Sequence, residues 1–220
     1  MVRAAIFDID GTLVDSNDLH VEAWQETFRH FGKEFAYNDL RAQVGKGGDQ
    51  YLPAFLSEAE LRQHGEDINS YRSALFRKEY IDRVRAFPKV RELFERIKQD
   101  GKRIALASSG NEEDSARFIK LMHIGGLFDA QTSKNDVARS KPSPDVFLRA
   151  LNLLHLQPDE AVVIGDTPYD VQAAKKIGLP IIGLLCGGFS EDELRAEGAV
   201  GIFRDPADLL ENYARSPLCG

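Results

Sequence analysis

Residues 4–13 read Ala-Ala-Ile-Phe-Asp-Ile-Asp-Gly-Thr-Leu. The apolar start of this stretch predicts a buried strand, and the carboxylates Asp8 and Asp10 come where the apolar run ends. Because side chains alternate along a strand, Asp8 and Asp10 would share a face if the strand continued through them. Such a pair is tolerated best around a divalent cation, or when one carboxyl group stays protonated. Gly11 and Thr12 then add a tight turn, a hydroxyl and bare amides, so the stretch predicts a metal-assisted phosphate site.

The composition of the chain is typical of a globular protein that buries a sizeable core. It has 220 residues, of which 43% are hydrophobic and 29% are charged. The net charge of −7 argues against a nucleic-acid-binding surface, which normally carries a basic stripe. Small anionic substrates are still compatible with it, since a few lysines and a metal can set the local field. We expect neither nucleic acid nor membrane as a partner, and a monomer or a weak homodimer.

The two cysteines, Cys186 and Cys219, are too few for a disulfide framework and lack the spacing of a metal site. This usage predicts a protein of the reducing cytoplasm. The chain enters its first strand almost at once, so we expect no signal peptide. Residues 216–220 at the end of the chain are expected to fray.

From residue 103 onward, predicted strands and helices alternate. The predicted strands are 103–108, 128–132, 161–165, 180–185 and 201–203, and the predicted helices are one capped by Asn111, 144–155, 168–177 and 190–197. Apolar strands without alternation, joined by helices, indicate an α/β fold with a parallel sheet covered on both faces. We assign residues 1–14 and 84–220 to this main domain.

Residues 15–83 contain helical patterns and no convincing strand. The patterns are the face formed by His20, Trp24, Thr27, Phe28 and Phe31, the capping box of Ser57 and Glu60, and the run 68–81. An all-helical block inserted after the first strand predicts a small second domain that acts as a lid. The chain crosses between the domains near Asp15 and near residues 83–87, where we expect hinges.

Several polar groups lie at or just beyond the ends of predicted strands. They are Asp8 with Asp10, Ser108, Lys141, and Asp166 with Asp170. Ligands of a parallel sheet bind beyond the carboxyl ends of its strands, so we expect these residues to converge. A carboxylate can attack phosphorus and form an aspartyl phosphate, which makes Asp8 the candidate nucleophile. Asp10 is the candidate acid and base, provided that its neighbours raise its pKa.

The remaining roles follow from the residue types. Asp8, the carbonyl oxygen of Asp10 and Asp166 are candidate ligands of Mg²⁺, and Asp170 is expected to brace bound water. Lys141 would neutralise negative charge on the nucleophile and the phosphoryl group. The expected phosphate-binding groups are Gly11, Thr12, Ser108, Ser109 and Gly110. Each signal has an ordinary explanation, such as helix capping by Asp166 and Asp170, but their joint placement favours a functional site.

The motifs resemble those of the haloacid dehalogenase superfamily, in the group of phosphatases and β-phosphoglucomutase-like proteins with an α-helical cap. The matching segments are Asp8-x-Asp10-Gly-Thr-Leu-Val-Asp15-Ser16, then Ser108, Lys141 and Gly165-Asp166-x-x-x-Asp170. The resemblance covers nearly the whole chain. It implies a Rossmann-like core, a helical cap at residues 15–83, dependence on Mg²⁺ and a phosphoryl intermediate on Asp8.

The second aspartate narrows the activity, because family members that cleave carbon–halogen or carbon–phosphorus bonds lack the acid/base residue at the position of Asp10. Mutases and some phosphatases share the pattern Asp15-Ser16…His20…Ala23-Trp24. In it, His20 either orients Asp10 as the cap closes or packs on its helical face. The mutases carry a cap arginine a few residues after a glycine, and residues 44–49, Val-Gly-Lys-Gly-Gly-Asp, contain none. We therefore favour a phosphatase for a small phosphorylated metabolite, such as phosphoglycolate or a sugar phosphate, over a β-phosphoglucomutase-type enzyme.

The glycine-rich loop at 44–49 has two interpretations. It places Lys46 and the amides near Gly47 over the site to read the substrate, or it is a flexible turn between helices. A non-catalytic phospho-acceptor or scaffold protein is the remaining alternative, since a fold alone does not determine function. The predicted helical cap and the turn after Asp10 argue against that alternative.

Overall fold

The computed structural model describes residues 1–219, apart from the side chain of residue 135. Its strands are β1 (Ala4–Phe7), β2 (Val14–Asp15), β3 (Arg85–Ala86), β4 (Arg103–Ala107), β5 (Ala130–Thr132), β6 (Ala161–Gly165), β7 (Ile181–Leu184) and β8 (Gly201–Phe203). Its α-helices are α1 (Asn17–His30), α2 (Tyr37–Arg41), α3 (Gly48–Tyr51), α4 (Glu58–Leu75), α5 (Val90–Gln99), α6 (Glu112–Leu121), α7 (Asp145–Leu154), α8 (Pro168–Lys175), α9 (Glu191–Glu197) and α10 (Pro206–Glu211).

The main sheet is parallel and six-stranded, with the order β5-β4-β1-β6-β7-β8. Strand β1 lies between β4 and β6, and its last residue, Phe7, pairs with Leu106 and Ile164. Because the three strands end in step, the residues that follow them leave the sheet along one edge. This confirms the predicted parallel sheet and places the predicted site at its carboxyl edge.

Both faces of the sheet are buried, as its continuous apolar strands predict. On one face, Ala5 and Phe7 pack with residues of α5, α6 and α10. On the other face, Ala4 and Ile6 pack with residues of α7, α8 and α9. Successive residues of β1 thus enter opposite layers, which holds the strand rigidly at the centre of the molecule.

The inserted block is helical and has an apolar cluster of its own. Trp24 and Phe28 of α1 pack with Leu40, Tyr51 and Ile68, and the indole of Trp24 stacks on Tyr51 with centroids 4.4 Å apart. The predicted capping box of Ser57 and Glu60 begins α4. These contacts confirm a helical cap.

The predicted helical run over residues 68–81 is present, but it is not a third helix apart from the one that Ser57 caps. Helix α4 runs from Glu58 to Leu75 and continues as one π-helical turn, Phe76–Tyr80, and one 3₁₀ turn, Ile81–Arg83. The capping box therefore begins the same long helical segment that carries Ile68. Nothing between Ser57 and Arg83 stops it, because Gly65 is tolerated inside the helix at a cost of about 1 kcal/mol.

Both chain crossings between the two parts lie side by side. Strands β2 and β3 pair antiparallel, with Val14 opposite Ala86 and Asp15 opposite Arg85. The sequence predicted no strand in residues 15–83, yet Asp15 is part of this short two-stranded ribbon. The predicted hinges at Asp15 and 83–87 lie in or beside this ribbon, and the domain limits 1–14, 15–83 and 84–220 stay predictions.

The end of the chain is packed, so the expected fraying of residues 216–220 is wrong for the part that the structure describes. Leu218 is fully buried in the same apolar cluster as α5, within a 3₁₀ turn, Pro217–Cys219. Gly220 lies outside the described residues. Among residues 1–219, none of the helices combines the length and apolar character that a membrane span requires.

Candidate active site

The turn after β1 shapes the site. Strand β1 ends at Phe7, and the backbone then folds so that Gly11 donates its N–H to the carbonyl of Val14 over 2.8 Å. Asp8 and Asp10 therefore lie beyond the end of the strand and just before the turn: the N–H of Asp8 donates to the carbonyl of Ile164 at 2.9 Å, and Asp10 forms an isolated bridge with Val14. Gly11 has φ +75°, and a Cβ there would overlap the side chains of Asn17 and Asp166. Only glycine fits this position, which brings the turn against the end of β6.

Lys141 joins the first and fourth motifs. Its Nζ lies 2.6 Å from Oδ1 of Asp8 and 2.6 Å from Oδ1 of Asp170, and all three side chains are buried. Burial works to lower the pKa of Lys141, but the charges of Asp170 and Asp8 outweigh it and raise the pKa above its usual value. Lys141 is therefore a permanent positive charge beside the predicted nucleophile.

Asp166 and Asp170 are held in fixed orientations by their neighbours. Asp166 accepts hydrogen bonds from Thr12 Oγ1 at 2.7 Å and from Asn17 Nδ2 at 2.8 Å. Asp170 accepts from the backbone N–H and the hydroxyl of Thr167 in the capping box that begins α8. Asp170 therefore caps the helix and also pairs with Lys141. The hydroxyl of Thr12, predicted to bind phosphate, instead orients Asp166.

The carboxylates of Asp8, Asp166 and Asp170 form a constellation that suits a metal ion. One oxygen from each lies within 4.8 Å of the others. Burial, followed by the charge of Asp170, raises the pKa of Asp166 to about 7, and burial raises that of Asp8 well above its usual value. Three buried carboxylates face one lysine, so the cluster has an excess of negative charge that a divalent cation would balance. A Cβ on Gly187 would overlap the Asp166 carboxylate, so this glycine leaves room for it.

Asp10 is separate from that carboxylate cluster. Its Oδ1 accepts hydrogen bonds from Ser16 Oγ at 2.7 Å and from His20 Nε2 at 2.8 Å. Burial works to raise the pKa of Asp10, but its electrostatic interaction with the N–H side of the His20 ring and the hydrogen bonds from His20 and Ser16 outweigh it and lower the pKa. The expectation that neighbours raise this pKa is therefore wrong for the closed cap without substrate, because these neighbours are donors.

His20 is held in one tautomer by Arg72. An Nη of Arg72 lies 2.5 Å from Nδ1 of His20. Because a guanidinium only donates, Nδ1 must accept and the neutral ring carries its proton on Nε2, facing Asp10. Burial and the charge of Arg72 lower the pKa of His20, which keeps the ring neutral. His20 also stacks on Phe76 with centroids 4.1 Å apart, so the ring both contacts Asp10 and is packed, although not on the face of Trp24 and Phe28; its part in orienting Asp10 as the cap closes stays a prediction.

The loop after β4 lies next to this acid. Ser108 is buried, and its Oγ accepts a hydrogen bond from the N–H of Gly110 at 2.9 Å. A Cβ on Gly110 would lie 3.5 Å from Oδ2 of Asp10. The N–H of Lys141 lies 3.5 Å from Oγ of Ser109, which links this loop to the lysine. Ser109 and Gly110 line the cavity described below, as expected of phosphate-binding groups.

The glycine-rich cap loop rests directly on the core. Gly45 has φ +101°, and a Cβ there would lie 2.6 Å from Thr167. Gly47 packs against Ser140, whose N–H donates to Asp49 at 3.0 Å. Lys46 hydrogen-bonds to Gln43 at 2.5 Å, and its Nζ lies 4.4 Å from the centroid of the Tyr169 ring. The loop is a close contact of the closed cap and not a free turn.

A cavity of about 80 Å³ lies between cap and core. The predicted residues that line it are Asp8, Asp10, His20, Lys46, Gly47, Ser109 and Gly110. Arg72, Asn69, Asp114 and Lys134 line it too, and the sequence did not single them out as site residues. Arg72 lies on α4, far in sequence from every motif, so only the packing of the long helix reveals it. Asn17 directly follows the first motif, and its position beside Ser16 was an available signal.

The sequence profile of the haloacid dehalogenase-like hydrolase family matches residues 5–184. The chain therefore belongs to this family, and its similarity to phosphatases is equally plain. A phosphoglycolate phosphatase of Aquifex aeolicus is 28% identical over 80% of the chain and 82% of its own length. The fructose-1-phosphate phosphatase YqaB of Escherichia coli is 30% identical over 80% of the chain and 93% of its own length. The protein is a phosphatase-type hydrolase of this family, as its motifs predicted.

Solved structures share the whole architecture, cap included. A hydrolase from Pseudomonas syringae superposes with a TM-score of 0.89 at 27% identity, covering 97% of this chain and 98% of its own. A Bacteroides vulgatus protein, described provisionally as a β-phosphoglucomutase, superposes with a TM-score of 0.82 at 25% identity, covering 96% and 87%. Both confirm the predicted fold, and the second shows that mutase-like proteins share it.

Proposed function

We propose that this protein is a Mg²⁺-dependent phosphatase that hydrolyses a small phosphorylated metabolite through an aspartyl phosphate on Asp8. The observation that carries the proposal is the buried cluster in which Lys141 contacts Asp8 and Asp170 beside Asp166. Relatives named as phosphatases of phosphoglycolate and of fructose 1-phosphate support the substrate class.

The residues at the edge of the sheet divide the chemistry between them. Oδ of Asp8 attacks phosphorus, and the bond from phosphorus to the leaving oxygen breaks. Asp10 gives a proton to that oxygen, then takes one from the water that attacks the phosphoaspartate, releasing phosphate and restoring Asp8. Lys141 and the loop at Ser108, Ser109 and Gly110 hold the phosphoryl oxygens. Bound by Asp8, Asp166 and Asp170, Mg²⁺ would neutralise phosphoryl charge.

Proton donation by Asp10 requires that substrate binding change its pKa. The donors Ser16 and His20 lower that pKa in the closed cap. A phosphate dianion placed beside Asp10 acts in the opposite direction, because a like charge favours the protonated form. Substrate binding would therefore raise the pKa of Asp10 and favour the protonated form that donates to the leaving oxygen.

A mutase is the second candidate, and Arg72 is the observation in its favour. The sequence lacks an arginine in the cap loop, yet Arg72 brings a guanidinium to the cavity from α4. The size of the cavity favours a phosphatase, since about 80 Å³ holds roughly five to eight water-sized groups. A hexose bisphosphate is much larger than that.

Phosphate release with Mg²⁺ tests the proposal, on a panel of phosphoglycolate, hexose and pentose phosphates, and β-glucose 1-phosphate with its bisphosphate. We expect release from at least one compound and a loss of at least about 1,000-fold in Asp8→Asn, whose amide is a poor nucleophile. Asp67→Asn makes the same charge change on the exposed side of α4 and should match the wild type. Formation of glucose 6-phosphate without phosphate release would establish the mutase instead, and steady turnover by Asp8→Asn would refute the mechanism.

A further inference from the structure

We propose that the cavity binds a second anionic group of the substrate, held between Arg72 of the cap and Lys134 of the core. This inference rests on the proposed function, because it specifies the substrate of that same site. The second group lies on the leaving part of the substrate, away from the phosphoryl group at Asp8.

Arg72 is a rigid cation without a carboxylate partner. Its guanidinium lies 5.2 Å from the centroid of Trp24 and 5.1 Å from that of Phe76, and one Nη contacts the neutral His20. Within residues 1–219, no carboxylate forms an ion pair with it, and its Nε is buried without a hydrogen bond. A buried charge is costly unless an opposite charge joins it. A bound anion would supply that charge.

Lys134 approaches the same cavity from the core. It begins a 3₁₀ turn, Lys134–Asp136, just after β5, and its backbone N–H is anchored on the carbonyl of Gly110. Its ammonium has no acceptor in the part of the chain that the structure describes. Burial, followed by the charge of Arg72, lowers the pKa of Lys134. Two cations from opposite domains thus face one small space and repel each other, which an anion between them would reverse.

Asp114 lines the cavity too but does not cancel both cations. One of its oxygens accepts a hydrogen bond from Asn111 at 3.3 Å, and the other lies 3.9 Å from Arg77. Its negative charge is therefore shared with Arg77, while Arg72 and Lys134 contribute two positive charges. The negative charge of Asp10 also acts on Arg72 and that of Asp49 on Lys134, but neither carboxylate forms an ion pair with these cations among the described residues.

The size of the cavity limits how far apart the two anionic groups can lie. About 80 Å³ holds a phosphoryl group and only a few more atoms. The substrate class is therefore a phosphate ester of a short carboxylic acid, or a second phosphate joined directly. A carboxylate and a phosphate offer the same charge and acceptors, so separate probes must distinguish them.

Three probes measure the contribution of the second charge. They are phosphoglycolate, with a carboxylate, pyrophosphate, with a second phosphate, and 2-hydroxyethyl phosphate, a neutral analogue of similar size. We expect kcat/KM for one of the two anionic probes to exceed that for the neutral probe by about 100-fold, since each charge-assisted hydrogen bond is worth roughly tenfold or more. The anionic probe with the higher kcat/KM shows whether the second group of the substrate is a carboxylate or a phosphate.

Substitution of Lys134 links the preference to the proposed cations. Lys134→Gln should reduce the ratio of kcat/KM for the preferred anionic probe over the neutral probe by about tenfold. Lys120→Gln makes the same charge change on the exposed surface of α6 and should leave that ratio unchanged. Arg72→Gln should reduce the ratio as well, although its contact with His20 makes a general loss of kcat part of its effect.

Each outcome decides the inference. Equal kcat/KM for charged and neutral probes, or a ratio unaffected by Lys134→Gln, overturns the inference but leaves a phosphatase. Release from none of the probes or the wider metabolite panel overturns the proposed function. In that case, calorimetry on Asp8→Asn with Mg²⁺ measures how Arg72 and Lys134 contribute to binding when there is no turnover. Binding of phosphoglycolate or pyrophosphate that Lys134→Gln weakens more than that of the neutral probe supports the inference, and equal weakening refutes it.

Discussion

His20 shows how one ring can set the state of Asp10, the proposed catalytic acid. Arg72 contacts its Nδ1 at 2.5 Å and Asp10 contacts its Nε2 at 2.8 Å, so the ring links the cap helix α4 to the acid of the core. We predict that His20→Asn lowers kcat/KM by about 100-fold, because Asp10 loses a donor that orients it. His30→Asn is the control, because His30 lies at the exposed end of α1, the helix that also carries His20. Steady-state kinetics of both variants test this, and equal rates would contradict a role for His20 in positioning Asp10.

We predict that Asp166 makes Mg²⁺ binding depend on pH. Its pKa of about 7 lies above the value near 3.9 of an unfolded chain, so the free energy of unfolding of the metal-free protein falls as pH rises between those values. Mg²⁺ needs the deprotonated carboxylate, so its stabilisation is larger at about pH 8 than at about pH 5.5. We expect about 2.7 kcal/mol when Mg²⁺ is present at one hundred times its Kd.

Thermal unfolding at both pH values, with Mg²⁺ and with EDTA, measures this effect. Asp166→Asn removes the titrating group, so the pH dependence of the metal effect should shrink in that variant. A Tm shift from Mg²⁺ that is the same at both pH values would argue against Asp166 as a ligand. Phosphate release should stop in EDTA and return with Mg²⁺.

At the scale of the element, the cap loop separates backbone strain from contact with the core. Gly45 and Gly32 both have positive φ, so alanine at either costs roughly 1–2 kcal/mol of stability. A Cβ on Gly45 would lie 2.6 Å from Thr167 of the core, whereas nothing lies within 4 Å of a Cβ on Gly32. We predict that both variants lower Tm, Gly45→Ala at least as much as Gly32→Ala, and that only Gly45→Ala also lowers kcat/KM, by at least about tenfold. Equal activities would show that the loop can move away without cost.

Most elements of the core could be predicted from the sequence because their signals are local. The strand Ala161–Gly165 appears as predicted, and the helix predicted over 190–197 begins with a capping box of Ser190 and Glu193. The ribbon of β2 and β3 could not be predicted, since its strands are two residues long and pair across about seventy positions. The burial of Leu218 was missed for a similar reason, because a lone apolar residue near the end of a chain has no periodicity.

The candidate site likewise contains residues that local sequence signals identify and residues that only the packing of distant segments reveals. Asp8, Lys141, Asp166 and Asp170 were identifiable because each follows a strand whose carboxyl end must lie at one edge of the sheet. Arg72 was not, because a charged residue on a long amphipathic helix looks like any solvated position. Its role depends on how α4 packs over α1, which no local pattern encodes.

At the scale of the whole molecule, the cap lies against the core, where the N–H of Ser140 donates to Asp49 of the cap. We predict that a phosphate mimic with Mg²⁺ narrows the distance between spin labels at Glu66 of the cap and Gln99 of the core, both exposed. Cys219→Ser removes the exposed native thiol, while Cys186 is half-buried. Without ligand, the distribution should be broader and longer, because the ribbon of β2 and β3 bends as a hinge. A distribution of label distances that does not change when ligand binds would contradict a moving cap.

The carbonyl of Gly187 has a further consequence. It accepts hydrogen bonds from Asn17, which also holds Asp166, and from Arg41 at the end of α2 in the cap. One backbone oxygen thus belongs at once to the surroundings of a predicted metal ligand and to the cap contact. Thermodynamic reciprocity then requires that whatever factor closure adds to metal affinity, the metal adds to closure. We therefore expect a Mg²⁺ titration of this protein to report also on how its cap and core associate.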